Sequence, residues 1–492
     1  MAVLVLLFFL AIFSFSSTAQ SQHSDSAFIS AIISAKGLDF VKDILVEQEL
    51  KALTPLRLPD INKSIRIPLV GAVEVSVSNI TLSSVDVSSS VIRPGDTGIM
   101  IAVSGATANL SLDWEYTYST WLIPIDIADN GGAFIEVQGM EVGLTMTMKN
   151  NNGTLELNVT ECGCYMEDIF ITLNGGASWL YQGFVYAFED QIRAAVEKAI
   201  TKKITEGTSK LDSLLQSLPK KIDVDHNVAL DVTFVDDPLF GNSSIEFDIN
   251  GLFVPSENAA LSSYLNDNSK LSDSCLGTSN MLGISLDEAV FNSASVVYFQ
   301  EGMMHWLVDK VPDQSLLNTK KWKYIVPQLY RKYPNDDMQL NLTLTSPPII
   351  RIKPQGVGGT ITTDMTINVL DAGETIPVAC ITVEMAVSGV VRISGNNLAG
   401  EAELHDFSLN LKWSEVGNFH MYLIQETMRV FLNTVFVPII NSHMRKGFPL
   451  PIVNGFTLRN AYILNSISKM VVCADVVFRD SSVTKPLRIA DL

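Results

Sequence analysis

Residues 418–463 read NFHMYLIQETMRVFLNTVFVPIINSHMRKGFPLPIVNGFTLRNAYI, and the fold turns on how they are read. They predict a long apolar helix, a sharp stop at Lys446-Gly447-Phe448-Pro449-Leu450-Pro451, and then an extended segment. Phe419, Leu423, Met428, Phe431, Leu432, Val435, Phe436, Ile439 and Ile440 crowd more than one helical face, so the helix is expected to be buried widely. Gly447 ends it, because glycine tolerates the left-handed conformation just past a helix, and Pro449 forbids continuation. Pro438 predicts a kink or two consecutive helices.

The same pattern occurs earlier. Between Trp179 and Leu218, Leu180, Phe184, Phe188, Ile192, Val196, Ile200 and Ile204 recur every four residues, and Leu218-Pro219 closes the helix. A helix turns in 3.6 residues, so this stripe drifts and should touch more than one wall. Period-two strands precede each helix: 73–78, 109–115, 141–149 and 154–160 before the first, 338–344, 349–352, 361–369, 381–393 and 402–413 before the second. Strands also follow each helix, at 222–235 and 244–253 and again at 456–464 and 469–478. Strands, helix, Leu-Pro and strand, written twice, predict a duplicated α+β domain of antiparallel sheet. The polar stretch 254–275 reads as a linker between residues 20–253 and 276–492, and the second half opens with a strand and helix over 282–308.

Residues 1–19 have the pattern of a secretory signal peptide: an apolar run at Leu4–Phe15, then Ser17-Thr18-Ala19. Crossing a bilayer takes roughly 20 apolar residues, and the longest later candidate, Val430–Ile440, contains Asn433 and Pro438. The mature chain is expected to be secreted and extracellular. Asn62, Asn79, Asn109, Asn152, Asn158, Asn242 and Asn341 each begin an N-x-S/T sequon, which predicts a glycoprotein. A net charge of −19 argues against nucleic acid as a partner and against adsorption to anionic membrane by bulk charge. Five cysteines leave at least one unpaired.

Signatures of catalysis are absent: no G-x-S-x-G, H-E-x-x-H or Walker loop occurs. Gly356-Val357-Gly358-Gly359 reads as a hairpin turn. Asp225-His226 and His405-Asp406 are sequence neighbours, which point to opposite faces of a strand and so do not make a dyad. Cys162-Gly163-Cys164 is a lone C-x-C, which makes a poor zinc site. No enzyme, cofactor or metal is expected.

Several segments carry a resemblance. They are Lys36-Gly37-Leu38-Asp39-Phe40, Ser209-Lys210-Leu211, Leu215-Gln216-Ser217-Leu218-Pro219, Val326-Pro327 followed by Tyr333-Pro334-Asn335, Ser346-Pro347-Pro348, Trp413-Ser414-Glu415-Val416-Gly417, and above all Lys446–Pro451. In this order they resemble the family of bactericidal/permeability-increasing protein, lipopolysaccharide-binding protein and the plasma lipid-transfer proteins, particularly its plant members. The resemblance implies two tubular barrels, each a twisted antiparallel sheet around a long helix, joined by a central sheet into an elongated boomerang. It also implies a phospholipid in each barrel. Those pockets would be lined by Val41, Ile44, Leu45, Phe184, Phe188, Ile192 and Val196 in the first, and by Phe419, Leu423, Phe431, Leu432 and Val435 in the second.

Two features depart from the family. Its structural disulfide joins a cysteine near Cys162 or Cys164 to the first long helix, where the matching residue here is Ile200. Free thiols, an intermolecular bond or a C-x-C bridge near the maximum Cα span remain open. The cationic tip of bactericidal members is also reduced, to Arg57, Lys63 and Arg66, beside an aromatic hairpin with Trp114, Tyr116, Tyr118 and Trp121. Those rings suit either a membrane interface or cross-strand pairing within the hairpin. The chain is expected to bind lipopolysaccharide or phospholipid at bacterial surfaces, in innate recognition and defence. The alternative is an extracellular lipid-transfer protein without an immune role.

Overall fold

The computed structural model describes residues 26–478, apart from 68–70, 97, 120–125, 177, 179–184, 257–279, 418, 451 and 453–454. The expected signal peptide, and the expected linker from residue 257 on, lie outside the described residues. The chain folds as two compact units. One takes in residues 33–218 and 237–246. The other takes in residues 219–236, those from Phe247 on, and the described residues up to Ile32. Residues 219–236 and 247–253, assigned from the sequence to the first barrel, therefore belong to the second unit.

In the first unit Ser34 caps the helix Ala35–Leu53, its hydroxyl accepting from the Gly37 N–H at 3.3 Å. Four long strands follow, Gly71–Asp86, Gly98–Ser119, Asp126–Asn151 and Thr154–Asn174, each antiparallel to the one before it. Alternation sends Leu110, Leu112, Ala133, Ile135 and Val137 inward and leaves Ser111, Asp113, Phe134 and Glu136 exposed. Over the inward face lies the helix Tyr186–Gln216. Its Phe188, Ile192, Val196 and Ile200 share a core with Leu110, Ile135 and Met166, which Ile204 also touches. Beyond that point burial shifts to Leu211 and Leu215, the drift that a four-residue repeat imposes.

Thr154–Asn174 is the last strand of its sheet. Its outer backbone groups are met by side chains of the helix. Glu197 accepts from the Met166 N–H at 3.2 Å, Asp212 accepts from the Leu157 N–H at 2.7 Å, and Arg193 donates to the Glu167 carbonyl at 3.1 Å.

The second unit repeats the plan. Its sheet runs His305–Val308, Asp337–Leu344, Gly356–Asp371, Glu374–Ser394, Asn397–Ser414 and Phe448–Pro449, with Ile349–Lys353 paired to Gly356–Asp371. Lys353 opposite Gly356 closes a hairpin, and Gly358 and Gly359 continue as strand. A further antiparallel set holds Leu282–Asp287, Lys469–Phe478 and Phe456–Asn465. These strands, with the helix Tyr186–Gln216 in the first unit and Met421–Met444 in the second, bear out the α+β, antiparallel reading.

The helix Met421–Met444 differs from expectation in two ways. By length and composition it is long and apolar enough to cross a membrane, although only 33% of its most apolar window is buried. Its buried face, Ile424, Met428, Phe431, Leu432, Val435 and Phe436, joins the core of the unit. Tyr422, Leu423 and Val430 are exposed, so burial is one-sided and not wide. Around Pro438 two α segments follow one another, Met421–Phe431 and Val437–Met444, which is one of the two expected outcomes. A π turn, Leu432–Phe436, joins them, and there the Val437 N–H reaches back to the Leu432 carbonyl. Pro438 then falls in the first turn of the next α segment, where its missing N–H costs nothing. Asn433 and Thr434 donate to the Arg429 and Val430 carbonyls at 3.0 and 2.8 Å, satisfying acceptors around the widened turn. The expected stop is present: Gly447 has φ +68°, and a Cβ there would meet the Leu398 carbonyl oxygen at 2.7 Å.

Candidate functional site

A narrow apolar cleft opens between sheet and helix in the second unit. Its floor is Met338, Leu340, Met365, Ile367 and Ile381, inward residues of three neighbouring strands. One wall comes from the helix and the residues just before it: Phe419, then Ile424, Thr427, Met428 and Phe431. The other comes from the turns after the first strand of the sheet, through Leu316, Leu317, Trp322, Val326 and Leu329. The Trp322 indole N–H donates to the Leu316 carbonyl at 2.9 Å, so its ring is held with the polar edge satisfied. Thr427 alone among the lining residues has a polar side chain apart from that indole. The cleft offers almost no group to orient a polar ligand. It suits a hydrocarbon chain, held by burial at about 25 cal/mol per Å2.

Of the five residues expected in this pocket, Phe419 and Phe431 line the cleft. Leu432 and Val435 are buried in the surrounding core. Leu423 is 39% exposed and points away, because it lies one position before Ile424, which takes the inward face. Of the cleft residues between Leu316 and Leu329, the sequence singles out only Val326, in the Val326-Pro327 match and not as a pocket residue.

In the first unit Phe188, Ile192 and Val196 meet in one core, as the four-residue stripe implies. Val41 is buried on the helix Ala35–Leu53, outside that cluster, and Ile44 and Leu45 are half-buried. Phe184 lies outside the described residues.

The tip residues do not act as one set. Trp114 is 5% exposed and belongs to the core. Its indole donates to the Gly132 carbonyl at 3.0 Å and its ring stacks on Tyr116, with centroids 6.5 Å apart. A Cβ on Gly131 would come within 2.7 Å of that ring, so the glycine is what lets the indole lie flat. Trp114 is therefore a sheet residue and not an interfacial one. Tyr116 and Tyr118 are half-buried, Arg57 is exposed, and the Lys63 ammonium stands over the Phe188 ring at 5.8 Å. The side chain of Arg66 and all of Trp121 fall outside the described residues.

Three of the four described cysteines, Cys162, Cys164 and Cys380, are free, and Cys473 is disulfide-bonded. Cys164 packs against the hydrophobic cluster that holds Ile200, so packing stands where the family's disulfide, read as missing from the sequence, would join sheet and helix. Burial, with help from the nearby Glu197 charge, pushes the Cys164 thiol up to about 12. Cys162 is also raised by burial, although a hydrogen bond with Thr205 opposes this. Of the sequon asparagines, Asn62, Asn79, Asn152, Asn158, Asn242 and Asn341 are exposed, and Asn109 is half-buried. Among the described residues no group of His, Cys, Asp and Glu could hold a metal ion.

The chain is similar to known proteins over nearly its whole length. The profile for the N-terminal domain of the LBP / BPI / CETP family matches residues 37–218, and that for the C-terminal domain matches residues 222–478. A putative BPI/LBP family protein of Arabidopsis thaliana is 53% identical over 465 residues, covering 94% of this chain and 95% of that one. A bactericidal permeability-increasing protein of Sebastes schlegelii is 27% identical, covering 91% and 94%. A crystal structure of lipopolysaccharide binding protein shares the fold with a TM-score of 0.62 at 19% identity, over 92% of this chain and all of that one. Two matched domains, in the order the sequence motifs predict and on the matching fold, show that the chain belongs to the LBP / BPI / CETP family.

Proposed function

We propose that the chain is a secreted lipid-binding protein which takes acyl chains of lipopolysaccharide or phospholipid into its sheet–helix units and serves recognition of bacterial surfaces. The observation that carries this reading is the second unit's cleft, where fifteen residues from sheet, turns and helix present almost wholly apolar side chains. In the first unit, Phe188, Ile192 and Val196, together with Val41, Ile44 and Leu45, are the lipid-facing residues of this reading. Related proteins named for binding lipopolysaccharide and for bactericidal permeability increase support it. The acidic balance of −19 favours a second reading, an extracellular lipid-transfer protein without an immune role, because phosphorylated lipid A calls for cations at its contact surface.

Native mass spectrometry of the secreted protein, followed by lipid extraction, tests the shared part of both readings. The wild type is expected to carry lipid. Thr427→Trp, which fills the cleft beside Met428 and Phe431, is expected to cut the lipid bound per chain by about half if each unit holds one molecule. Equal lipid in a folded Thr427→Trp protein counts against the cleft. Saturable lipopolysaccharide binding separates the first reading from the second.

A further inference from the structure

One sequon lies beside an exposed aromatic surface. Phe134 is 46% exposed and Phe170 is 52% exposed, on the outward side of the first unit's sheet. Strand register places Asn109 opposite Glu136 and Ser111 opposite Phe134, so Asn109 and Phe134 are diagonal neighbours. Across the next pair Phe134 faces Thr172 and Glu136 faces Phe170, which makes the two rings diagonal neighbours as well. Diagonal neighbours lie roughly 7–8 Å apart, within reach of a side chain or of a sugar attached to one. The intervening residues Ala108, Leu110, Ala133 and Ile135 are buried, which puts Asn109, Phe134 and Phe170 together on the solvent face.

The two rings form a small exposed aromatic surface, with the exposed Glu136 between Phe170 and Asn109, and such a surface is open to a cover. We propose that a glycan on Asn109 supplies it, with its inner N-acetylglucosamine residues lying over Phe134 and Phe170. The pyranose ring has a face of C–H groups carrying slight positive charge, which complements the negative face of an aromatic ring. The Asn109 amide also donates to Ser84 Oγ at 3.0 Å. N-glycosylation leaves that nitrogen one N–H, so the bond to Ser84 can persist and fix the direction in which the sugar leaves the sheet.

The other sequons fit less well. Asn79 is exposed at the neighbouring strand, but it donates to Asp113 Oδ2 at 2.8 Å and is separated from Phe134 by the strand Gly98–Ser119. Asn341 lies opposite Leu307, which is 59% exposed but offers no ring. It serves as an internal comparison.

The inference requires passage through the secretory pathway and is independent of which lipid is bound. The experiment uses the full chain secreted from a glycosylating host, with glycopeptide mass spectrometry for occupancy and thermal melts for Asn109→Gln, Phe134→Ala/Phe170→Ala and the combination. Occupied Asn109 is expected, together with a Tm loss of about 2–4 °C in Asn109→Gln, the scale of a modest contact in a unit of this size. That loss should vanish when both rings are already absent, whereas the effect of Asn341→Gln should be the same with and without them. Phe134→Leu/Phe170→Leu replaces the alanine pair if the latter does not fold, since leucine keeps apolar bulk and removes the ring. An unmodified Asn109 overturns the proposal. So does an Asn109→Gln loss of equal size with and without the rings.

Discussion

At the scale of single residues, the cysteines carry the clearest consequences. The parity of five cysteines in the sequence required one free thiol; the structure has three among the described residues. Thiol titration of the unfolded, unreduced protein is therefore expected to find at least three. In the native protein Cys164 should react slowly: with its thiol at about 12, the thiolate is on the order of a thousandfold rarer at neutral pH than for an ordinary cysteine. The raised value also sets a pH dependence. Unfolded thiols ionise first, near pH 8.5, so the contribution of Cys164 to stability is complete below that pH. It falls as pH rises toward about 12. Cys164→Ala should flatten this alkaline decline in a series of melts between pH 8 and 10, and an unchanged slope would contradict the buried thiol. Trp114 illustrates the limit of reading residues from sequence. Alternation places it on one face with Leu110 and Leu112 as well as Tyr116 and Tyr118, but does not say how far along the strand burial extends. At Trp114 the indole still lies in the core, with Gly131 on the neighbouring strand leaving room for it.

At the scale of elements, period-two strands and both long helices were legible because each has a buried face that fixes its periodicity. The handling of Pro438 was legible only in part. Sequence supplies the missing N–H and the break into two helical segments, but not the π turn that joins them while Phe431, Leu432, Val435 and Phe436 stay in one core. Leu423 was misplaced for a related reason: next to Ile424 the apolar pattern admits either residue inward, and the cleft geometry selects Ile424. The cleft's third wall was illegible because its turns have no period at all. The helix stop was readable from glycine chemistry, and it can be tested. Gly447→Ala forces a side chain into φ +68° and against the Leu398 carbonyl. The expected cost is about 1–3 kcal/mol, seen as a Tm drop of several degrees, and an unperturbed melt would show that the turn tolerates a Cβ.

At the scale of the whole molecule, a net charge of −19 makes electrostatic capture of an anionic lipid surface unfavourable from a distance. If Tyr116 and Tyr118 supply the contact, vesicle binding should persist or strengthen as salt rises from 0.1 to 0.5 M, because screening weakens charge repulsion over roughly 10 Å and leaves apolar insertion intact. Tyr116→Ala with Tyr118→Ala should lower that binding several-fold. Binding that collapses in moderate salt yet ignores the double substitution in a folded protein would sink the aromatic contact. The outer strand Thr154–Asn174 has a wider consequence. A sheet that stops leaves a row of donors and acceptors able to recruit a strand from another copy of the chain. Here Glu197, Arg193 and Asp212 occupy such groups from the side. These three side chains therefore blunt part of this edge, leaving a strand from another copy fewer groups to pair with.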